Sequence, residues 1–141
     1  MRLNLLYKQP MLNSVKNIEI IESIPLDFGT VELRSDDILT FEPAKGITTV
    51  NKQQLEVMLE NLVKLSKGKP KPFISDNRNV KSFGYEERDY VAKNIHLFAT
   101  ASAIIEDSFV IRFITHTIVT MFKPQIPLKM FKTKEDAIAW L

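Results

Sequence analysis

Residues 67–94, KGKPKPFISDNRNVKSFGYEERDYVAKN, decide the predicted fold because they contain a helix stop, a buried strand, a polar loop and the start of a new helix. Gly68 and Pro70 form the stop, and the apolar run at 72–76, bounded by breakers, is typical of an interior parallel strand. The new helix begins near Gly84. In α/β domains the loops that leave the carboxyl ends of such strands commonly carry binding sites. We therefore expect the functional surface in this strand, loop and helix.

The beginning of the chain predicts three strands. An isoleucine-rich run at 17–22, ended by Pro25, predicts the first strand. The alternating run at 30–34 pairs with the run at 38–41 as a hairpin across the Asp-Asp turn at 36–37. The first third of the domain is therefore expected to be an antiparallel β meander.

Helices and strands alternate after the meander. Asn51 and Gln54 match a capping box, and the apolar side chains that follow recur every three or four residues, which predicts a helix that ends at Gly68. Beyond the 72–76 strand we predict a helix at 84–97, strands at 100–106 and 127–131, and a terminal helix at 133–141.

The segment 108–122 is the ambiguous one. Eight of its residues are β-branched, which favours a strand. On a helical wheel, however, polar side chains fall on one stripe and apolar side chains fill the opposite arc, with Ser108 placed as an N-cap. We therefore predict a helix. The resulting order is βββ-αβαβαβα, an α/β fold with a mixed β-sheet and helices packed on it.

Composition limits the function classes. The 141 residues, 45% hydrophobic and 26% charged, fit a single domain at 17–141 preceded by an N-terminal arm at 1–16. The 19 basic and 17 acidic residues are too balanced for a protein that coats nucleic acid. The longest apolar run, 109–122, is shorter than the ~20 residues that a transmembrane segment needs, and there is no cysteine. We expect a cytoplasmic protein with no nucleic-acid partner and no transmembrane segment.

Two segments resemble a known superfamily. The segment at 68–82 (GKPKPFISDNRNVKS) and the ending at 131–141 (FKTKEDAIAWL) are similar to small bacterial stand-alone proteins of the STAS-like superfamily, named after sulfate transporters and anti-sigma-factor antagonists. The superfamily shares its architecture loosely with the CRAL-TRIO lipid-binding domains. The resemblance covers roughly residues 30–141. It implies a STAS-like single-domain fold, and it says less about chemistry because one fold hosts many functions.

The sequence departs from this superfamily at the residue that would act as a switch. In anti-sigma-factor antagonists the helix after this strand opens with an Asp-Ser-Ser-Gly type sequence whose serine accepts phosphate. Here the resemblance places Gly84, Tyr85 and Glu86 at the corresponding positions, so the phospho-acceptor is missing there. Ser82 is the nearby hydroxyl that could substitute, or it could be an N-cap.

The polar residues after the 72–76 strand are the candidate contact residues. Asp76 could orient a partner, or it could close the strand and accept hydrogen bonds from loop amides. Arg78 and Lys81, beside a helix N-terminus, could hold an anion or could be solvated surface residues. With Ser82 and Tyr85 they form the predicted binding surface of a non-enzymatic regulatory module, which would contact a protein partner through the loop and helix at 76–91.

The apolar arc of the 108–122 helix is wider than one sheet face needs. A second copy of the chain, the N-terminal arm or a bound apolar ligand could cover the excess, and a homodimer is the expected form of this option. The equal alternative is that the monomer core buries the whole arc. The alternative function is a carrier of a small apolar or lipid-like ligand held between the sheet and this helix, with Arg112 or His116 near its head group. Two histidines, no cysteine and no nucleophile beside them predict no catalytic residue, no metal site and no cofactor.

Overall fold

The structure is a computed structural model and describes residues 17–141. Six strands and four helices follow one another in the predicted order, with a 3₁₀ turn at Ile95–Leu97 and a π-helical turn at Ile118–Phe122. The strands are β1 (Ile20–Leu26), β2 (Gly29–Arg34), β3 (Leu39–Pro43), β4 (Lys71–Asp76), β5 (Ala99–Ile105) and β6 (Leu128–Phe131). The helices are α1 (Lys52–Ser66), α2 (Tyr85–Asn94), α3 (Phe109–Thr117) and α4 (Lys134–Trp140).

The six strands form one mixed sheet in the order β1-β2-β3-β4-β5-β6. The pairs β1–β2 and β2–β3 are antiparallel, whereas β3–β4, β4–β5 and β5–β6 are parallel. Each parallel connection moves the chain to the next strand in the same direction, and right-handed crossovers then place their helices on one face of the sheet. The predicted fold class and element order are confirmed.

The sheet is covered on both faces by apolar side chains. One face packs against α1, α2 and α3 through two buried clusters, which include Leu62 of α1 and Ile111 of α3. The opposite face packs against α4 through Ile74, Ala103 and Ala137. Interior parallel strands are buried on both faces, and this explains why the consecutive residues Phe73 and Ile74 of β4 are both apolar.

Local sequence signals set the ends of α1. The Asn51 side chain accepts a hydrogen bond from the Gln54 amide at 2.8 Å, and the Gln54 side chain accepts one from the Asn51 amide at 2.9 Å. At the other end Lys67 takes the left-handed conformation and Gly68 follows with φ +78°. The predicted capping box and helix stop are both confirmed.

Three details differ from the sequence prediction. The strand predicted at 17–22 lies three to four residues later and runs through Pro25, because β1 is an edge strand and its proline loses no ladder hydrogen bond there. The 108–122 helix is α-helical only to Thr117 and then widens into the π turn. Its buried side consists mainly of side chains from the apolar arc, but it also includes Thr115 of the polar stripe, while Phe113 and Met121 of the arc are exposed. The predicted arm at 1–16 lies outside the described residues.

Leu62 provides a test of the α1 packing. Its side chain is fully buried, and we expect Leu62→Ala to lower the free energy of unfolding by about 2–5 kcal/mol because it leaves a cavity. Val57 lies on the exposed side of the same helix, and Val57→Ala should change the free energy of unfolding by less than about 0.5 kcal/mol. Urea unfolding of both variants measures the difference. Equal losses would contradict the orientation of α1.

Candidate functional site

The loop at 77–84 lies at the carboxyl edge of the parallel strands and is tied to the neighbouring loop before α1. The Lys81 amide donates to the Thr48 carbonyl oxygen at 2.7 Å, and the Thr49 hydroxyl donates to the Ser82 carbonyl oxygen at 2.9 Å. Val80 is buried between these contacts and anchors the middle of the loop. The polar residues around it are therefore presented on a fixed backbone.

Asp76 and Arg78 are paired with each other. The guanidinium donates to both carboxylate oxygens of Asp76, Nε at 2.9 Å and Nη2 at 2.6 Å, and the Arg78 amide donates a third bond at 3.2 Å. Burial alone would raise the pKa of Asp76, but the hydrogen bonds and the positive charge of Arg78 outweigh burial and lower this pKa below its usual value. The geometry matches the reading in which Asp76 closes the strand and binds loop amides.

The remaining predicted contact residues are exposed. Lys81 and Ser82 face solvent in the loop, and the N-cap of α2 is Gly84 rather than Ser82. Tyr85 opens α2 with 68% of its surface exposed, and its ring packs edge-on against Phe122 at 5.1 Å between centroids. The loop and the start of α2 therefore adjoin the end of the α3 segment.

The α3 helix and the π turn after it expose several large apolar side chains to solvent. Phe109 is 75% exposed, Phe113 is 59% exposed and Met121 is 69% exposed, at spacings of four and eight residues. Arg88 of α2 donates to the Thr117 hydroxyl at 3.1 Å and holds the two helices side by side. We call the set Tyr85, Phe109, Val110, Phe113 and Met121 the α2–α3 apolar surface.

Arg112 and His116 are both exposed on α3. The Arg112 guanidinium lies 4.0 Å from the carboxylate of Glu106, which is buried and accepts a hydrogen bond from the Ser108 amide at 3.0 Å. Neither Arg112 nor His116 lines the cavity described next. The structure therefore gives them no position beside a ligand head group between the sheet and α3.

A cavity of about 110 Å³ lies between the sheet and the helices α1, α2 and α3. Its lining is mostly apolar, and Ser102 of β5 and Thr115 of α3 contribute hydroxyl groups to it. We call it the core cavity. It occupies the region in which the alternative function placed a ligand. The sequence prediction did not select Ser102 or Thr115, although a hydroxyl at an otherwise apolar core position is a readable signal.

Two further properties concern metals and membranes. Within residues 17–141, no three His, Asp or Glu side chains come close enough together to hold a metal ion. None of the helices in this part of the chain has the length and apolarity needed to span a bilayer.

Comparisons with known proteins identify a family and a fold. The family model described as "Domain of unknown function (DUF7793)" matches residues 31–141. No curated protein matches the chain. The crystal structure of an uncharacterised DUF3478-family protein from Shewanella loihica PV-4, described as having a SpoIIAA-like fold, superposes with a TM-score of 0.54 at 18% identity. The match covers 88% of this chain and 93% of that chain, so the predicted STAS-like fold is confirmed.

The Asp76–Arg78 pair predicts a pH-dependent contribution to stability. The pKa of Asp76 is lower in the folded chain than in the unfolded chain, where it is about 3.9. The carboxylate therefore stabilises the fold above that value, and the contribution is lost as the pH falls through the folded-state pKa. We expect Asp76→Asn to be less stable than wild type at about pH 7, with a difference that narrows below about pH 4.

Urea unfolding at several pH values measures this difference. Glu60→Gln is the control because Glu60 is an exposed carboxylate on α1. A stability difference for Asp76→Asn that stays constant across the pH range would contradict the role given to the pair.

Proposed function

Since this chain belongs to the family of the domain of unknown function DUF7793, we propose that it is a cytoplasmic, non-enzymatic binding module that contacts a protein partner. The contact uses the loop and helix at 76–91 together with the α2–α3 apolar surface. The observation that carries this proposal is the exposure of five large apolar side chains on two neighbouring helices. Exposed apolar surface of this kind is a feature of protein–protein contact sites.

The state of the loop residues supports binding rather than catalysis. The Asp76 carboxylate is engaged by three donors of Arg78, so it is held in place as an acceptor within the loop. A loop stiffened in this way presents Lys81, Ser82 and Tyr85 in one arrangement. Preorganised contact residues lose less conformational entropy when a partner binds.

We take the occupant of the α2–α3 apolar surface to be a second copy of this chain. The surface is bordered by charges of both signs, with Glu86 on α2 and Arg112 on α3. A two-fold interface brings the same patch of both subunits together, and a patch with both signs can then pair its own charges. An apolar centre with a charged rim is the usual anatomy of such an interface.

Phe113→Glu tests the proposed contact. A carboxylate at the centre of the apolar surface would have to be desolvated in the dimer, so we expect the dimer dissociation constant to rise at least about 30-fold. Sedimentation velocity over a concentration series measures this constant for the wild type and the variant. Because Phe113 is exposed, the variant should keep the wild-type fold by circular dichroism.

Val57→Glu is the matched control, since it introduces the same charge at an exposed apolar position on α1. This control should dimerise like the wild type. A wild-type chain that stays monomeric at high concentration would refute the second copy as occupant. Dimerisation of Phe113→Glu at the wild-type concentration would refute this surface as the interface.

A further inference from the structure

The position of the core cavity follows from the register of four strands. Leu39, Phe73, Ser102 and Leu128 are aligned across the parallel part of the sheet, and they form one row on the face that packs against the helices. Ser102 is the one small side chain in this row. Phe41, Ser75, Ile104 and Met130 form the next row, in which Ser75 is the small one. A serine side chain is much smaller than its apolar neighbours in these rows. The helices above the two serines therefore have no large side chain to pack against, and a cavity remains.

The hydroxyls of Ser102 and Thr115 are two deeply buried polar groups of this cavity that lack protein partners among the described residues. Ser102 is 2% exposed and Thr115 is 3% exposed, and neither hydroxyl makes a hydrogen bond to another residue of the described part of the chain. The other two threonines in the second half of the α3 segment behave differently. Thr117 donates to the Ile114 carbonyl oxygen at 2.7 Å, and Thr120 donates to the His116 carbonyl oxygen at 2.8 Å.

These two hydroxyls open onto the cavity instead of being sealed in the packing. Among the described residues, His96 Nδ1 is the one side-chain nitrogen or oxygen that is fully enclosed and unpaired. The Ser102 and Thr115 oxygens are therefore accessible from the cavity that they line. Burying a hydroxyl without a partner costs free energy, so groups placed like this are usually satisfied by a water or a ligand.

Part of the remaining polar lining is already hydrogen-bonded within the protein. The Ser75 hydroxyl donates to the side-chain oxygen of Asn77 at 2.6 Å. The side-chain amide of Asn94 donates to the backbone carbonyl oxygen of Tyr90 at 2.8 Å. A buried water needs two to four polar partners and takes a share of about 30 Å³. A cavity of about 110 Å³ has room for more waters than two hydroxyls can hold. A mostly apolar molecule fits this lining better than a water cluster.

The volume sets the size of that molecule. An apolar cavity of about 150 Å³ is known to hold a benzene, and typical ligand sites have about 300–1,000 Å³. With a volume of about 110 Å³, the core cavity is close in size to the cavity that holds benzene and is much too small for a lipid chain. We infer that the core cavity binds a small, mostly apolar molecule, about one aromatic ring in size, whose single hydroxyl or carbonyl group hydrogen-bonds to Ser102 and Thr115. This ligand site goes beyond the proposed protein contact and is independent of it.

Phenol is the probe that matches this class, and toluene is its counterpart without a hydroxyl. In a titration followed by amide NMR spectra, phenol should produce saturable shifts at residues that line the core cavity, and toluene should bind more weakly. Thr115→Val keeps the shape of the side chain and removes its hydroxyl. It should weaken phenol binding about three- to tenfold and leave toluene binding unchanged, because one neutral hydrogen bond is lost.

Thr117→Val is the matched control on the same helix. Thr117 is also buried, but its hydroxyl bonds Ile114 and Arg88 within the protein. This variant should be less stable than wild type in urea and should bind phenol as wild type does, whereas Thr115→Val should unfold at the wild-type urea concentration.

Three outcomes would overturn the inference. One is the absence of saturable shifts with either probe, which would mean that the cavity holds only water. Another is equal affinity of phenol for wild type and Thr115→Val, or toluene binding as tight as that of phenol. Either result would show that the Thr115 hydroxyl does not hydrogen-bond to the ligand. The third is a set of shifts confined to the α2–α3 apolar surface, which would place the probe outside the core.

Discussion

The parallel pairing of β4 between β3 and β5 is the constraint on which the rest of the structure depends. Phe73 and Ile74 are neighbours in β4 and point to opposite faces, and both are buried. A strand that is buried on both sides needs cover on both sides. The helices α1, α2 and α3 supply it on one face and α4 supplies it on the other. The strand–loop–helix unit that begins at residue 71 is central to the fold because β4 is its strand.

The same constraint places the candidate surfaces. Parallel strands end at a common edge, so the loop after β4 and the loop before α1 meet there and are joined by hydrogen bonds. The crossovers bring α2 and α3 side by side on one face, where Arg88 connects them through Thr117. An exposed tyrosine at the start of α2 and the end of the α3 segment are brought into contact although they are distant in the sequence. The contact surface is thus a product of topology.

The α3 segment, residues 108–122, shows which structural features a local sequence pattern can predict. Its β-branched residues favoured a strand, and its period favoured a helix. The Ser108 side chain accepts a hydrogen bond from the Ile111 amide at 3.2 Å, so the predicted N-cap is confirmed and the helix with it. The wheel also grouped the apolar side chains in one arc, and the structure buries only part of that arc. Ile111 and Ile114 lie inside and Phe113 lies outside, because only the side of the helix that faces the sheet and α2 is covered.

The sequence by itself determined the element order, the N-terminal caps of α1 and α3, and the location of the polar loop at 76–84. These features depend on residues within a few positions of one another, where propensity, period and capping chemistry act locally. Only the tertiary structure decided three features: Arg78 satisfies Asp76, part of the apolar arc of α3 is exposed, and Ser102 leaves a cavity. The row of Leu39, Phe73, Ser102 and Leu128 comes from four strands, and its gap depends on their register and on the helices above them. Whether a side chain is buried depends on residues that are distant in sequence, and a local sequence pattern contains no information about those residues.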